Sequence, residues 1–181
     1  MKSYIEIKVP VSFDEPWFDE LRSLMEGVNV TWQRGHYHIT MAFLDNSPRR
    51  VNLIPGLDAI LGEALAPVIT FDKLDAFTTR GDQSHVVHLT TTEVPADFSA
   101  LVNAIRNHLK AKGCAMQSAF RLHVTLGRVK DRNVSLEALH DIIGRIDRID
   151  LPAATLDLTQ VEYLTYPDHR TLGKWTLPTG D

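Results

Sequence analysis

Two stretches of this chain are built alike: His38-Ile39-Thr40-Met41 and His123-Val124-Thr125-Leu126. Each is a histidine, an apolar residue, a threonine and a second apolar residue, set in a β-prone run. On a strand, residues i and i+2 share a face. His38 and Thr40 therefore point one way while Ile39 and Met41 enter a core, and His123 and Thr125 repeat the plan over Val124 and Leu126. Regular alternation adds Arg34 and His36 to the first polar face and Phe43 to the first apolar face. Arg121 joins the second polar face. Arg128 falls on the core side and reaches the polar face only past a bulge or a strand end. Two such strands can turn two imidazoles and two hydroxyls into one cleft.

The surrounding pattern repeats as well. Ser3–Val9 alternates Tyr4, Glu6 and Lys8 against Ile5, Ile7 and Val9, the signature of a half-buried strand. Ser12 to Glu15 has capping-box spacing, Pro16 suits a first helical turn, and Trp17, Leu21, Leu24 and Met25 fall on one helical face before Gly27. Val30–Trp32 and His36–Leu44 read as strands, with a turn at Asp45–Pro48. A helix is predicted within Arg49–Leu65, Pro55 lying in its first turn. Val68–Leu74 and Val86–Thr92 read as strands around a polar loop, Thr78–Ser84. The second half opens with a helix from Pro95 to about Gly113, carrying Phe98, Leu101, Val102, Ile105 and Leu109. The strand Arg121–Val129, a helix Ser135–Arg145, and a hairpin of Leu156–Leu164 with Thr171–Leu177 complete it. Each half thus has a helix followed by a His-x-Thr strand.

Composition narrows the function. The 181 residues are 44% apolar and 23% charged, with a net charge of −4 and a pI of about 6.0. That balance argues against binding long duplex nucleic acid through bulk charge. Cys114 is the single cysteine, so no internal disulfide and no cysteine-based zinc site is expected. The N-terminal MKSYIEIKVP lacks the apolar core of a signal peptide, and no apolar run reaches the ~18 residues of a membrane span. A cytoplasmic monomer is expected, with residues 1–181 as one domain of two lobes.

The paired motifs suit phosphodiester chemistry. Metal-free hydrolysis needs a base to take a proton from water and an acid to give one to the leaving oxygen. Histidine serves both roles, because its unperturbed pKa of about 6.5 lets either form exist near neutrality. Hydroxyls of Thr40 and Thr125 can donate to phosphoryl oxygens as charge builds there. One His-x-Thr alone is more often a half-exposed strand; duplication makes the functional reading the stronger. His36 and His38, with His123 as a third, are the alternative metal ligands. Against them stands the absence of a cysteine pair, of His-Glu-x-x-His, and of any acidic residue inside either motif, so no metal and no cofactor is expected. His85 and His88 flank Val86-Val87 and face opposite sides, so one of them can lie near the cleft, although a structural place is the simpler reading; His108, His140 and His169 read as solvated.

At these residues the chain resembles the two-histidine (2H) phosphoesterase superfamily, in particular its bacterial 2′-5′ RNA ligase-like branch. Both motifs match, Trp32 lies six positions before the first histidine, Phe43-Leu44 follows the first motif, Arg128 trails the second, and Val161-Glu162-Tyr163-Leu164 resembles the closing strand. The resemblance implies a bilobal α/β (α+β) fold: two antiparallel sheets with outer helices, related by a pseudo-twofold, around a central cleft. It implies metal-independent hydrolysis of cyclic phosphodiesters, with His38 and His123 catalytic and Thr40 and Thr125 binding phosphate. His36, Arg34, Arg121 and Arg128 are possible substrate contacts. The substrate class is a 2′,3′-cyclic phosphate on a nucleotide or a short RNA end, opened to a 2′-phosphate, with the first-motif histidine protonating the leaving oxygen. Asp45 departs from the branch, which often has glycine there. An acid at the cleft rim, with no marked basic patch, favours small substrates over long RNA. A 2′-5′ RNA ligase, a non-catalytic nucleotide- or RNA-binding module and a metal-dependent hydrolase are the competing readings.

Overall fold

Ile39 and Val124, the apolar residues inside the two motifs, are register partners on antiparallel strands. That pair joins the halves of the molecule. The computed structural model describes residues 1–48, 51–116, 119–145 and 154–180. In chain order the elements are β1 (Ser3–Lys8), α1 (Pro16–Leu24), β2 (Val30–Trp32), β3 (His38–Asn46), α2 (Ile54–Gly62), β4 (Val68–Phe71), β5 (Lys73–Thr78) and β6 (His85–Thr90). Then come α3 (Ala96–Ala111), β7 (Ala115–Met116), β8 (Val124–Val129), α4 (Leu136–Gly144), β9 (Ala154–Asp157), β10 (Gln160–Thr165) and β11 (Thr171–Thr176). One antiparallel sheet runs β11-β10-β1-β3-β8-β6-β5, with β2 added to β8 and β7 to β3. A second, two-stranded antiparallel sheet pairs β4 with β9. The mixed α+β architecture agrees with the sequence reading, and the two motif strands sit side by side at the centre of the larger sheet.

The halves exchange their short strands. β2 precedes β3 in the chain but pairs with β8, matching Trp32 to Gly127; β7 precedes β8 but pairs with β3, matching Met116 to Leu44. Trp32 lies so close over Gly127 that a Cβ there would stand 2.8 Å from its ring and 2.7 Å from Val30. Glycine is required at that position for the ring to pack.

Beneath the motifs lies a continuous core. Ile39, Met41 and Leu44 of β3 and Val124, Leu126 and Val129 of β8 are buried with Phe98, Val102, Ile105 and Leu109 of α3 and Leu57 and Leu61 of α2. Burying such a side chain contributes roughly 1.5–3 kcal/mol, so the apolar face of each motif fixes the direction of its polar face.

Several details differ from the sequence reading. A bulge in β3 lets both Met41 and Ala42 face the core, since Thr40 pairs with Glu6 while Ala42 pairs with Ile5. The strand is rephased, and Phe43 turns onto the motif face, where it is the register partner of Tyr4. β8 carries the same bulge: Thr125 pairs with His88 and Gly127 with Val87, and both Leu126 and Gly127 are buried. Arg128 is thereby turned to the exposed side.

β1 is not half-exposed. Tyr4 and Glu6 are buried along with Ile5 and Ile7, because β3 and β10 flank the strand. The runs that read as single strands at Val68–Leu74 and Leu156–Leu164 are each divided, at Asp72 and at Leu158–Thr159. At both points the chain leaves the small sheet and enters the large one. Leu24 is exposed rather than core. Of the capping box, the Ser12 amide still donates to Glu15 Oε1 (2.8 Å), but Glu15 itself is the N-cap of α1. Pro55 does lie in the first turn of α2; Arg49, the lower bound given for that helix, lies outside the described residues. Among the described residues no helix is long and apolar enough to cross a membrane.

Candidate active site

The two motif histidines are held in the same way. His38 Nδ1 lies 2.8 Å from the carbonyl oxygen of His36, and His123 Nδ1 lies 3.0 Å from that of Arg121. A carbonyl only accepts, so Nδ1 is the protonated nitrogen in each ring, and Nε2 is left to gain or lose a proton. Among the described residues no hydrogen bond engages either Nε2, or the hydroxyls of Thr40 and Thr125. All four side chains are partly exposed on the face opposite Ile39 and Val124. This is a set of two imidazoles and two hydroxyls, oriented and unengaged.

Their surroundings are unequal. Around His38 stand Tyr4 (ring centroids 6.1 Å apart), His36 (4.9 Å) and the carboxyl group of Glu6, whose Oε2 is 3.4 Å from Nδ1. Burial lowers the His38 pKa, while Glu6 and the His36 carbonyl pull it upward. Around His123 stand His88 (5.7 Å) and Phe77 (5.2 Å), with Arg121 over the Phe77 ring at 4.4 Å. Burial again lowers the pKa; here Arg121, His38 and Arg128 push it lower still, against the Arg121 carbonyl bond. His88 is driven down to about 4, chiefly by burial and then by His123, so it is neutral near pH 7.

The other sequence candidates divide. His36 is brought to the site, as regular alternation expects, but by another route. β3 begins only at His38, and His36 takes a left-handed φ of 55°. That break carries Arg34 away: its guanidinium stands 5.1 Å from the Phe13 ring centroid. Arg121 and Arg128 are both exposed and both act electrostatically on His123; Arg128 Nη1 donates to Ser84 Oγ (3.3 Å). Asp45 is partly buried further along β3.

Three further residues join the site beyond the sequence candidates. Glu6 is fully buried between the strands, although its pattern matches a wet strand face. His88, of the pair His85 and His88, is the one that lies near the motif, packing on His123. His169 is exposed, as expected of a solvated residue, but shares a 2.9 Å hydrogen bond with the Tyr4 hydroxyl and lies 6.5 Å from the His36 ring. Burial and Glu6 raise the Tyr4 pKa to about 12, so the hydroxyl keeps its proton.

The alternative metal set of His36, His38 and His123 gives way to a different cluster. Donor atoms of Glu6, His36 and His38 lie within 4.8 Å of one another. His38 Nδ1 is committed to the His36 carbonyl and His36 Nε2 to Glu6, so these groups bond to each other and form a chain of proton-bearing contacts. A cavity of about 440 Å³ opens beside His36, lined also by Lys8, Gly35, Asp157 and Gln160.

Solved structures share this fold over nearly the whole chain. Kluyveromyces marxianus Usb1 superposes with a TM-score of 0.62 at 12% identity, covering 98% of this chain and 97% of its own. A protein described as a phosphoesterase gives 0.58 at 18%, covering 98% and 99%. Escherichia coli LigT in complex with 3′-AMP gives 0.55 at 16%, covering 98% of each chain. No curated protein sequence matches. Residues 9–170 match the 2′-5′ RNA ligase superfamily, and with that span, which includes both motif strands, the chain belongs to this family.

Proposed function

We propose that the protein hydrolyses cyclic phosphodiesters, 2′,3′-cyclic phosphates of nucleotides or short RNA ends, by a two-histidine mechanism without a metal. The observation that carries this reading is the matched anchoring of His38 and His123 through Nδ1, which leaves both Nε2 atoms without a hydrogen bond among the described residues, on the strand faces that also carry Thr40 and Thr125. One imidazole takes a proton from water as its oxygen bonds to phosphorus. The other gives its proton to the ribose oxygen as that P–O bond breaks, leaving a phosphomonoester. Thr40 and Thr125 donate to the non-bridging oxygens, where charge accumulates. Arg128, turned outward by the β8 bulge, adds positive charge from the His123 side. That LigT, of the same fold, holds 3′-AMP is consistent with a nucleotide ligand.

The test is a panel of 2′,3′-cyclic nucleotides and an oligoribonucleotide with a 2′,3′-cyclic end, followed by ³¹P NMR with and without chelator. Ring opening that survives chelation and disappears in His38→Ala and His123→Ala supports the reading. Turnover only with added metal contradicts it.

A further inference from the structure

Glu6 and His88 hold equivalent places in the two halves. Glu6 on β1 is the register partner of Thr40, and His88 on β6 is the register partner of Thr125, each next to the bulge of its motif strand. Each also adjoins the histidine of that motif. The sheet is near-symmetric at this point, but the chemistry is opposite: a carboxyl group stands on one side and an uncharged imidazole on the other.

Glu6 is 0% exposed. Burying a carboxylate is costly unless positive charge accompanies it. The nearby lysines are engaged elsewhere, Lys8 and Lys174 both pairing with Glu162 (3.3 and 3.4 Å). Among the described residues, the groups that ion-pair with Glu6 are the imidazoles of His36 and His38. His36 Nε2 lies 2.9 Å from Oε1 and 3.0 Å from Oε2, the hydrogen bond being to Oε2; Oε1 accepts none. The charge of Glu6 is therefore shared between two histidines, one of them in the motif.

Building on the hydrolysis proposed above, we infer that Glu6 is a positioning residue that holds the His38 proton against the effect of burial and so makes His38 the acid of the pair, while His88 in the equivalent place leaves His123 free to be the base. The titratable and charged groups facing His38 are Tyr4, Glu6 and Lys8 from β1, His36 from the segment before β3, His169 from the β10–β11 connection and His123 near the start of β8. Glu6 is the one acid in direct contact. Those facing His123 are His38, His88, Arg121 and Arg128, none of them an acid. In the step itself, water gives its proton to His123 Nε2 as the new O–P bond forms. His38 Nε2 gives its proton to the leaving oxygen as the old bond breaks. Glu6 touches neither substrate nor reacting atom.

The test separates this inference from the function it rests on. The His38 and His123 ring protons are titrated by NMR, and pH profiles of kcat/KM on a 2′,3′-cyclic nucleotide are measured in parallel. In the wild type His38 titrates above His123. In Glu6→Gln the His38 midpoint and the basic limb of the profile move down by ~1–3 pH units, the range for losing an opposite charge at this distance, while the acidic limb stays. His36→Asn keeps the left-handed backbone conformation, which asparagine tolerates, and should move the His38 midpoint the other way because Glu6 then acts on one imidazole. This second variant decides the matter if Glu6→Gln does not fold. An unmoved His38 midpoint in whichever variant folds overturns the inference even if the enzyme is active. So does zinc-dependent, chelator-sensitive activity that Glu6→Gln abolishes. If no cyclic phosphodiester is hydrolysed, the function fails, and the NMR midpoints still decide whether Glu6 holds the His38 proton.

Discussion

Phe43 and Arg128 stand at equivalent points in the two halves, each two residues past a bulge that turned it out of the apolar phase of its strand. One is an aromatic ring stacked at 6.2 Å on Tyr4; the other is an exposed guanidinium held to Ser84. Positive charge thus enters the site from the His123 side. Arg128→Met is expected to raise KM for a cyclic nucleotide by about 10–100-fold, the range for losing a charge-assisted hydrogen bond, with a smaller effect on kcat. Steady-state kinetics check this, and an unchanged KM would remove Arg128 from substrate binding.

Thr40→Val and Thr125→Val each delete a hydroxyl while preserving side-chain shape. Neither hydroxyl has a hydrogen bond among the described residues, so folding should be little affected. Loss of a donor to a developing anion costs on the order of 10²–10³ in kcat. Normal turnover in both variants would make the threonines strand formers only.

His88 makes the fold sensitive to acid. Its pKa is about 4 in the folded protein against an ordinary value of 6.5, so between these values the unfolded chain binds the additional proton. Stability conferred by the neutral ring is full above pH 6.5 and is lost as pH falls toward 4, by up to ~3 kcal/mol. Burial of His38 and His123 acts in the same direction. Urea midpoints at pH 7.5 and pH 5 should differ less in His88→Gln than in the wild type; an equal difference would contradict the assignment.

Gly127→Ala should destabilise the protein by roughly 1–3 kcal/mol, the usual cost of overpacking. The new methyl would meet Trp32 and Val30, which close β2 onto β8. Thermal or urea unfolding measures this, with a shift in Trp fluorescence as Trp32 is displaced. A neutral effect would mean that the ring yields without cost.

The motif faces are legible in the sequence because His38 to Thr40 and His123 to Thr125 are each two-residue steps, too short for an irregularity to spoil. The place of Phe43 is not, because the bulge at Met41 has no local marker: no glycine or proline accompanies it. Arg128 reaches the polar face only if a bulge precedes it, and the bulge exists. The charge on the His38 side is hidden for another reason. Tyr4, Glu6 and Lys8 alternate as a wet strand face does, and only the pairing of β1 between β3 and β10 buries Glu6. His36 approaches the site by a backbone conformation, a left-handed φ at a non-glycine residue, that residue type does not announce.

In the proposed mechanism His38 and His123 act together as the proton donor and acceptor. Single-turnover hydrolysis of a 2′,3′-cyclic nucleotide by His38→Ala, His123→Ala and the double variant tests this pairing, with circular dichroism confirming the fold of each. Each single change should lower the rate by about 10²–10⁴-fold, and the double variant should be little slower than either. A single variant that retains near-wild-type rates would contradict the mechanism.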